Sequence, residues 1–429
     1  MWQRHVWRVL VAICVVGGIN GASAWWVIDT PMTGTCAGVA TFVDDPDVAP
    51  HYMSAVVTIA GVRYRANAYG MASRKLKSRL MGEQVFVEGT CREISGHFRD
   101  WDRQRHILGR ITIENVREEF SSGSALYRSA NRLRRHIASG IQSMHPGDRA
   151  LFTGLVMGDD RDQPQSMIDS FRASGLSHLV AVSGQNVAYV LAAIGPLLRS
   201  RRLAMRLVLT CAVLAWFVVL TRAEPSVVRA AVMAGIVAVS FAFGRSTSTK
   251  VVLCVTAISL LCVDPMMARS VGFLLSTGAT AGLAWLLPVT SRIVGRGGVR
   301  DVVAATLAAT MGTAPLSLFF FQNLPIVSMF ANPFAVPIAG AVMLIGLPTS
   351  LIVPVLPDPL QSLLVFTLEI PVRLLWWIAV TCDAISPKGI LNALCWCLLV
   401  ALCVTRYRRN AHVISVQADS ASRVTDVKK

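Results

Sequence analysis

Charged side chains are scarce in this chain: they make up 15% of its 429 residues, against 53% hydrophobic, and the mean hydropathy is +0.53. That excludes a soluble globular protein of this size, whose surface needs far more polarity, and makes the chain an integral membrane protein. Acids are the rarer sign, 25 against 41 Lys and Arg, so the net charge is +16 and the water-exposed parts are strongly cationic. Nucleic acid, anionic lipid and the positive-inside bias of membrane loops each account for such a balance. Histidine is thin too. The eight His are scattered, with no HxHxDH run and no paired ligand spacing, so neither a hydrolytic zinc site nor a bound metal is indicated. Val182-Ser183-Gly184 lacks the flanking glycines of a nucleophile elbow. Gly244–Lys250 has no glycine before its lysine and no strand ahead of it, so a nucleotide loop is not expected. No catalytic residue and no cofactor are assigned.

The residues present fall into five segments. Residues 1–28 form an N-terminal anchor, basic at Arg4 and Arg8 and then apolar from Val9 to Ile28, about the twenty residues that cross a bilayer. Ala22-Ser23-Ala24 resembles a signal-peptidase site, so cleavage is the alternative; both versions export the adjoining segment and keep the basic end cytoplasmic. Residues 29–124 are polar and turn-rich, with alternating runs at Ala55–Ile59, Gly61–Arg65, Gln84–Glu88 and Arg110–Ile113, the pattern of a small β-barrel. Of ten Cys in the chain only Cys36 and Cys91 lie here, and in an oxidising compartment that pair reads as one disulfide. Arg63, Tyr64, Arg65, Arg74, Lys75, Lys77 and Arg79, with Tyr69 among them, combine cations for phosphates with aromatic faces for bases, as sequence-tolerant single-strand binding requires. A solvated surface is the plain alternative.

Residues 125–147 read as an amphipathic interfacial helix, with Leu126, Leu133, Ile137, Ile141 and Met144 on an apolar stripe against Arg128, Arg132, Arg134 and Arg135. Anionic lipid headgroups are the expected partners of these arginines. From 148 to 405 the chain is almost continuous membrane: spans near Leu176–Leu198, Leu203–Thr221, Ser226–Phe243, Val251–Val263, Val271–Leu287, Val302–Phe321, Ile326–Val353, Leu360–Cys382 and Ile390–Val404 make about ten with the first. Basic residues at 199–206, 245–250, 292–300 and 406–409 all fall on the cytoplasmic side of that count. Pro333, Pro337, Pro348, Pro354, Pro357 and Pro359 interrupt apolar sequence, which fits either a gated pathway or kinked packing. Glu369 and Arg373 have the spacing of a mutually satisfied pair. A disordered cytoplasmic tail, 406–429, closes the chain.

The head of the second span is the most polar stretch of the membrane region. FRASGLSHLVAVSGQNVAYV, 171–190, carries Arg172, His178, Ser183, Gln185 and Asn186, where a lipid-facing helix would carry almost none. His178, Ala181 and Gln185 share one stripe, with Asn186 at its flank. The run SGLSHLVAVSGQNV resembles the signature of the ComEC family of competence proteins, matching at Ser174, Gly175, Leu176, His178, Leu179, Ser183, Gly184 and Val187. It departs where many members have Leu-His and this chain has Gln185-Asn186, an amide that cannot titrate. Three further elements follow the family's order: LFTGLVMGD at 151–159, PSVVRAAVM at 225–233, with Arg222 and Arg229 beside or within it, and DP through GFLLS at 264–276.

The resemblance implies an inner-membrane channel component moving single-stranded DNA into the cytoplasm during natural transformation. It favours an oligonucleotide-binding (OB) type for the exported barrel. It also implies a cytoplasmic helicase-type ATPase and a membrane-tethered DNA receptor as partners, with a homo-oligomer left open. The DNA-path candidates are Arg172, His178, Ser183, Gln185, Asn186, Arg222 and Arg229. The metallo-β-lactamase-like domain that many members carry is not expected in this sequence. Other classes remain: a permease for a smaller solute, or a degenerate relative that transports nothing.

Overall fold

The computed structural model describes residues 33–49, 51–94, 102, 105–180, 184–295 and 297–426. The expected anchor 1–28 and Ser183 lie outside the described residues. Those described fall into two compact units, one within Met1–Gln163, Ala181–Leu274 and Ala341–Ile370, the other within Pro164–Val180, Leu275–Gly340 and Pro371–Lys429.

The first unit begins with six strands: β1 (Gly34–Phe42), β2 (Asp47–Val48), β3 (Tyr52–Ile59), β4 (Val62–Tyr69), β5 (Gln84–Glu93) and β6 (Ile107–Ser121). Their order is β1-β5-β6-β4-β3-β2, and an added β1–β3 pairing closes five of them into a barrel, leaving β2 appended to β3. Apart from β2, each strand pairs with the partners an OB barrel requires. The β4–β6 pair is parallel and a short helix, Gly70–Leu76, stands between β4 and β5. Alternation drives this closure. Phe42, Met53, Val57, Ile59, Tyr64, Ala66, Ala68, Val85, Val87, Ile111 and Ile113 turn inward into one core, and small Ala on β4 leaves room for the bulkier partners. Register slips between Glu88 and Gly89, where a Cβ would come within 2.0 Å of the Thr112 carbonyl; only glycine fits that bulge. Cys36 of β1 and Cys91 of β5 form the expected disulfide, with a sequence separation of 55.

Helix Ala125–Gly140 comes after the barrel, begun by Ser124, whose hydroxyl caps the Tyr127 amide. It is shorter than expected, and Leu126 lies exposed at its start. Ala130, Ile137 and Ile141 form the buried stripe, and Arg134 shares it. Helix Pro146–Met157 comes next, ended by Gly158 in the left-handed conformation, its amide donating to Gly154 and Thr153 carbonyls.

Seven described helices are long and apolar enough to cross a membrane: Leu203–Leu220, Pro225–Ala242, Val271–Val294, Val299–Phe321, Ser328–Val355, Asp358–Ile385 and the part of Gly389–Asp426 up to Tyr407. Two more expected spans are 15-residue helices, Gly184–Leu198 and Thr249–Val263. At 1.5 Å per residue each rises about 22 Å, short of a roughly 30 Å hydrocarbon core. The chain is a polytopic helical membrane protein with a small barrel domain. Its proline-rich region is helical from Ser328 to Val355, widening into a π turn at Val342–Gly346, where Gly346 meets the ring of Phe152, and it breaks at Leu356-Pro357 before the next helix. In the second unit, Asn392 of the last helix donates to the Leu324 carbonyl and accepts from Ile326, and Leu307, Ile326 and Met329 pack beside them.

Because the disulfide closes a long loop, its loss removes about 4 kcal/mol on the chain-entropy account. Replacing Cys36 and Cys91 by Ser in the full-length protein in detergent is expected to make the barrel protease-sensitive at a temperature where the parent resists. Equal protease half-lives would show that barrel closure alone suffices.

Candidate nucleic-acid interface

Of the residues expected along a DNA path, the first unit brings the Arg229 guanidinium to 3.4 Å from where a Cβ on Gly184 would stand, next in sequence to Gln185 and Asn186. In the second unit, Arg172 is exposed and pairs with Asp169 at 3.6 Å, one turn away. His178 is exposed, its Nδ1 3.3 Å from the Gly175 carbonyl. Gly175 holds a left-handed conformation, and a Cβ there would stand 2.7 Å from that of Ser328. In the first unit, Gln185 donates to the Tyr189 hydroxyl one turn on. Asn186 is buried, its amide donating to the Leu155 carbonyl at 3.0 Å, so it ties Gly184–Leu198 to Pro146–Met157. Arg229 is buried too, 3.0 Å from the Met233 sulfur, and its helix lies so close that a Cβ on Gly184 would meet Ala230 at 2.9 Å.

Arg222 has a different setting. It and Ala223 take positive φ values of 61° and 54°, a conformation that costs non-glycine residues about 1 kcal/mol or more each. The loop is held by the Ala223 amide on the Val218 carbonyl at 2.8 Å. It aims the Arg222 guanidinium at the Gly158 carbonyl, at Asp160 (3.4 Å) and at Asp45 (3.8 Å). Asp45, in the β1–β2 loop of the barrel, has no exposed side-chain surface. Its carboxylate takes a two-pronged contact from Arg134, accepts the Met81 amide at 2.8 Å, and lies 3.8 Å from Arg161. Arg161 in turn holds Asp159 at 2.6–2.7 Å. Beside this cluster, buried Glu83 binds Arg135 and the Leu80 amide, while Asn131 donates to the Met81 carbonyl at 3.0 Å. Across the barrel, His106 meets Asp264 at 3.1 Å. Asp264 and Asp159 thus belong to elements read from sequence as family motifs: Asp264 meets the residue that enters β6, and Asp159 pairs with Arg161 and Arg134, the arginines that reach Asp45. Glu369, read from sequence as partner to Arg373, accepts the His145 amide at 2.7 Å.

The barrel surface sorts its cations. Tyr64, expected on the surface, is wholly buried in the core: its position on β4 has the inward parity of Ala66 and Ala68. The outward parity carries Arg63, Arg65, Asn67 and Tyr69. Arg65 is engaged with buried Asp102, and Arg63 donates to the Arg105 carbonyl at 3.1 Å, so both hold the segment entering β6. Arg79 lies over the Phe120 ring at 4.2 Å. Arg74, Lys75 and Lys77 remain on the exposed side of Gly70–Leu76, whose Ala72, Ser73 and Leu76 face inward. Beside that helix Tyr69, 57% exposed, pairs across the strands with Tyr52, 45% exposed, ring centroids 6.2 Å apart, next to exposed Met71. Tyr52 and Met71 were not among the sequence candidates. The strand alternation, carried six residues past Arg63 to Tyr69 and across the Ala60–Gly61 turn, is the signal that finds the pair. Among the described residues no group of three or more His, Cys, Asp or Glu could hold a metal ion.

A model of the family described as "Competence protein" matches residues 155–409, more than half the chain. The chain belongs to the competence protein family. Curated members similar to it include ComE operon protein 3 of Bacillus subtilis, 24% identical over 68% of this chain and 39% of the relative. Competence protein ComA of Neisseria gonorrhoeae is 29% identical over 53% of this chain and 34% of the relative. The uncharacterized protein YcaI of Escherichia coli is 24% identical over 73% of this chain and 44% of the relative. The chain therefore spans less than half the length of the curated relatives it matches. No solved structure matches it. The family match begins inside the helix Pro146–Met157, so the barrel and Ala125–Gly140 lie outside it.

Electrostatics of the barrel anchorage in this family member run in two directions. Burial alone would lift the Asp45 and Asp159 carboxyls; the arginines reverse it, holding Asp45 below the usual range and Asp159 at about 2. Both contribute stability fully above about pH 4, and lose it as pH falls toward their folded values. Asp44 behaves oppositely. Burial pushes it up to about 6 against the pull of the Val56 amide, so its ionisation destabilises the fold as pH rises from about 4 to 6. Asp45→Asn is expected to cost about 3 kcal/mol or more at pH 7, by leaving buried guanidiniums uncompensated. Asp44→Asn is expected to stabilise by roughly 2 kcal/mol at pH 7 and by little at pH 4. Thermal unfolding of the full-length protein at the two pH values checks both; equal shifts for the two variants would contradict the assignment.

Proposed function

We propose that this chain is the strand-receiving and membrane-crossing component through which single-stranded DNA enters the cytoplasm during natural transformation. The observation that carries the reading is the joining of two parts. A closed barrel of OB strand order presents Tyr52 and Tyr69 beside Arg74, Lys75 and Lys77, and buried ion pairs fix it to helices of a competence-family membrane domain.

Its chemistry suits a single strand. Exposed rings accept bases of any identity by stacking, and nearby cations take the phosphates, each contact weak enough to be released as the strand advances. A duplex would hide its base faces from the tyrosines. Membership of the competence protein family supports a role in DNA uptake, and on this reading the barrel stands outside the cytoplasmic membrane with the N-terminus inside. A helicase-type ATPase in the cytoplasm supplies the driving force, and a membrane-tethered receptor delivers the strand. In the membrane part, Arg172 and His178 are the exposed polar candidates for the path.

In a strain lacking the gene, cytosolic arrival of labelled DNA is expected to stop while surface binding persists, and the restored parent chain to recover it. Tyr52→Ala with Tyr69→Ala is expected to weaken binding of an oligothymidylate to the purified chain by about tenfold or more, at roughly 1–3 kcal/mol per stacked base. Replacing Arg74, Lys75 and Lys77 by Gln is expected to lower the slope of log affinity against log salt by about 2. Unchanged uptake in the deletion strain would remove the proposal.

A further inference from the structure

Where the barrel meets the helix Ala125–Gly140 there is a cavity of about 210 Å³ lined by Glu83, Ser122, Arg128, Asn131, Arg132 and Arg135. Arg128, Arg132 and Arg135 stand four and three residues apart, so successive turns of the helix present them on one side. Glu83 is neutralised by Arg135 and by the Leu80 amide. Arg128 and Arg132 are exposed, and no described residue makes an ion pair with either guanidinium. The cavity therefore carries a net charge of about +2 together with the Ser122 hydroxyl.

The opposite side of the same helix fixes its depth. Ala130 and Leu133 pack with Leu214, Phe217 and Leu220, the last turns of the apolar helix Leu203–Leu220. The Trp216 indole donates to the Ser129 hydroxyl at 3.0 Å, one residue from Arg128. A tryptophan at the end of a span, bonded to a polar helix, marks the headgroup level of a bilayer. There the abundant anion is a phosphodiester attached to two acyl chains.

We propose that this cavity binds the headgroup phosphate of one anionic phospholipid, with Arg128 and Arg132 as the principal ligands and Ser122 as a further donor. A bound lipid would fasten the junction of barrel and helix to the bilayer surface. Lipid fits better than a nucleic-acid strand: the cations line one half-open cavity of about 210 Å³, room for a single phosphate, whereas a strand needs them spaced along an extended groove.

The test uses full-length protein in nanodiscs of phosphatidylglycerol and phosphatidylcholine, followed by detergent release and native mass spectrometry. The parent is expected to retain phosphatidylglycerol preferentially, and Arg128→Gln with Arg132→Gln to lower that retention by roughly tenfold. Arg74→Gln with Lys77→Gln, on the barrel surface, is expected to leave it unchanged. Should the double variant fail to fold, a photoreactive phosphatidylglycerol on the parent chain gives an independent answer, with adducts expected within residues 122–135. Equal retention by parent and folded variant, or adducts confined to other segments, would overturn the proposal. So would a variant that keeps its lipid but loses affinity for single-stranded DNA, since the cavity would then belong to the strand.

Discussion

Asp45 sits in the barrel with its side chain fully buried, a state that costs several kcal/mol unless opposite charge arrives with good geometry. That charge comes from three places. Arg134 rises from the helix Ala125–Gly140, Arg161 from the loop after Pro146–Met157, and Arg222 from the strained turn before Pro225–Ala242. None of these segments can be in its final position unless the barrel loop is too, so barrel and membrane helices depend on one another for their last interactions. Removing a single partner leaves charge stranded in low dielectric, which is why such a node tolerates little relaxation.

The node also explains the strain at Arg222 and Ala223. Two left-handed residues in succession are unfavourable on their own, and the turn persists because the guanidinium it delivers meets the Gly158 carbonyl, Asp160 and Asp45 together. Gly158 serves both ends of this contact. Its positive φ ends the preceding helix, and its carbonyl is thereby turned toward Arg222. On the proposed function this rigidity helps, because stacking residues on a loosely tethered domain would spend binding energy on ordering the domain.

Much of the architecture could be read from residue order. Apolar runs placed most of the described helices within a few residues, although Gly184–Leu198 begins eight residues later and Val271–Val294 ends seven residues later than expected; the short alternating segments announced a barrel, and the pairing of Cys36 with Cys91 followed from their isolation in that segment. The candidate site was less legible. Tyr64 and Tyr69 look alike in the sequence, yet one is wholly buried and the other more than half exposed, because a strand sends alternate side chains to opposite faces. Arg134 resembled its neighbours on a polar helix face until its spacing from Ala130 and Ile137 put it on the buried stripe. Asn186 read as a polar group for a wet passage; the Leu155 carbonyl claims its amide.

By itself, the sequence determined that this is a multi-pass membrane chain with a barrel ahead of its main run of spans, since hydrophobic run length and alternation are local properties set by bilayer thickness and strand geometry. Tertiary structure decided which charges are spent on holding the barrel and which stay open to a ligand. Whether a guanidinium is free depends on a carboxylate 89 residues away, as for Arg134 and Asp45, and no local pattern encodes a partner that only the closed fold brings within reach.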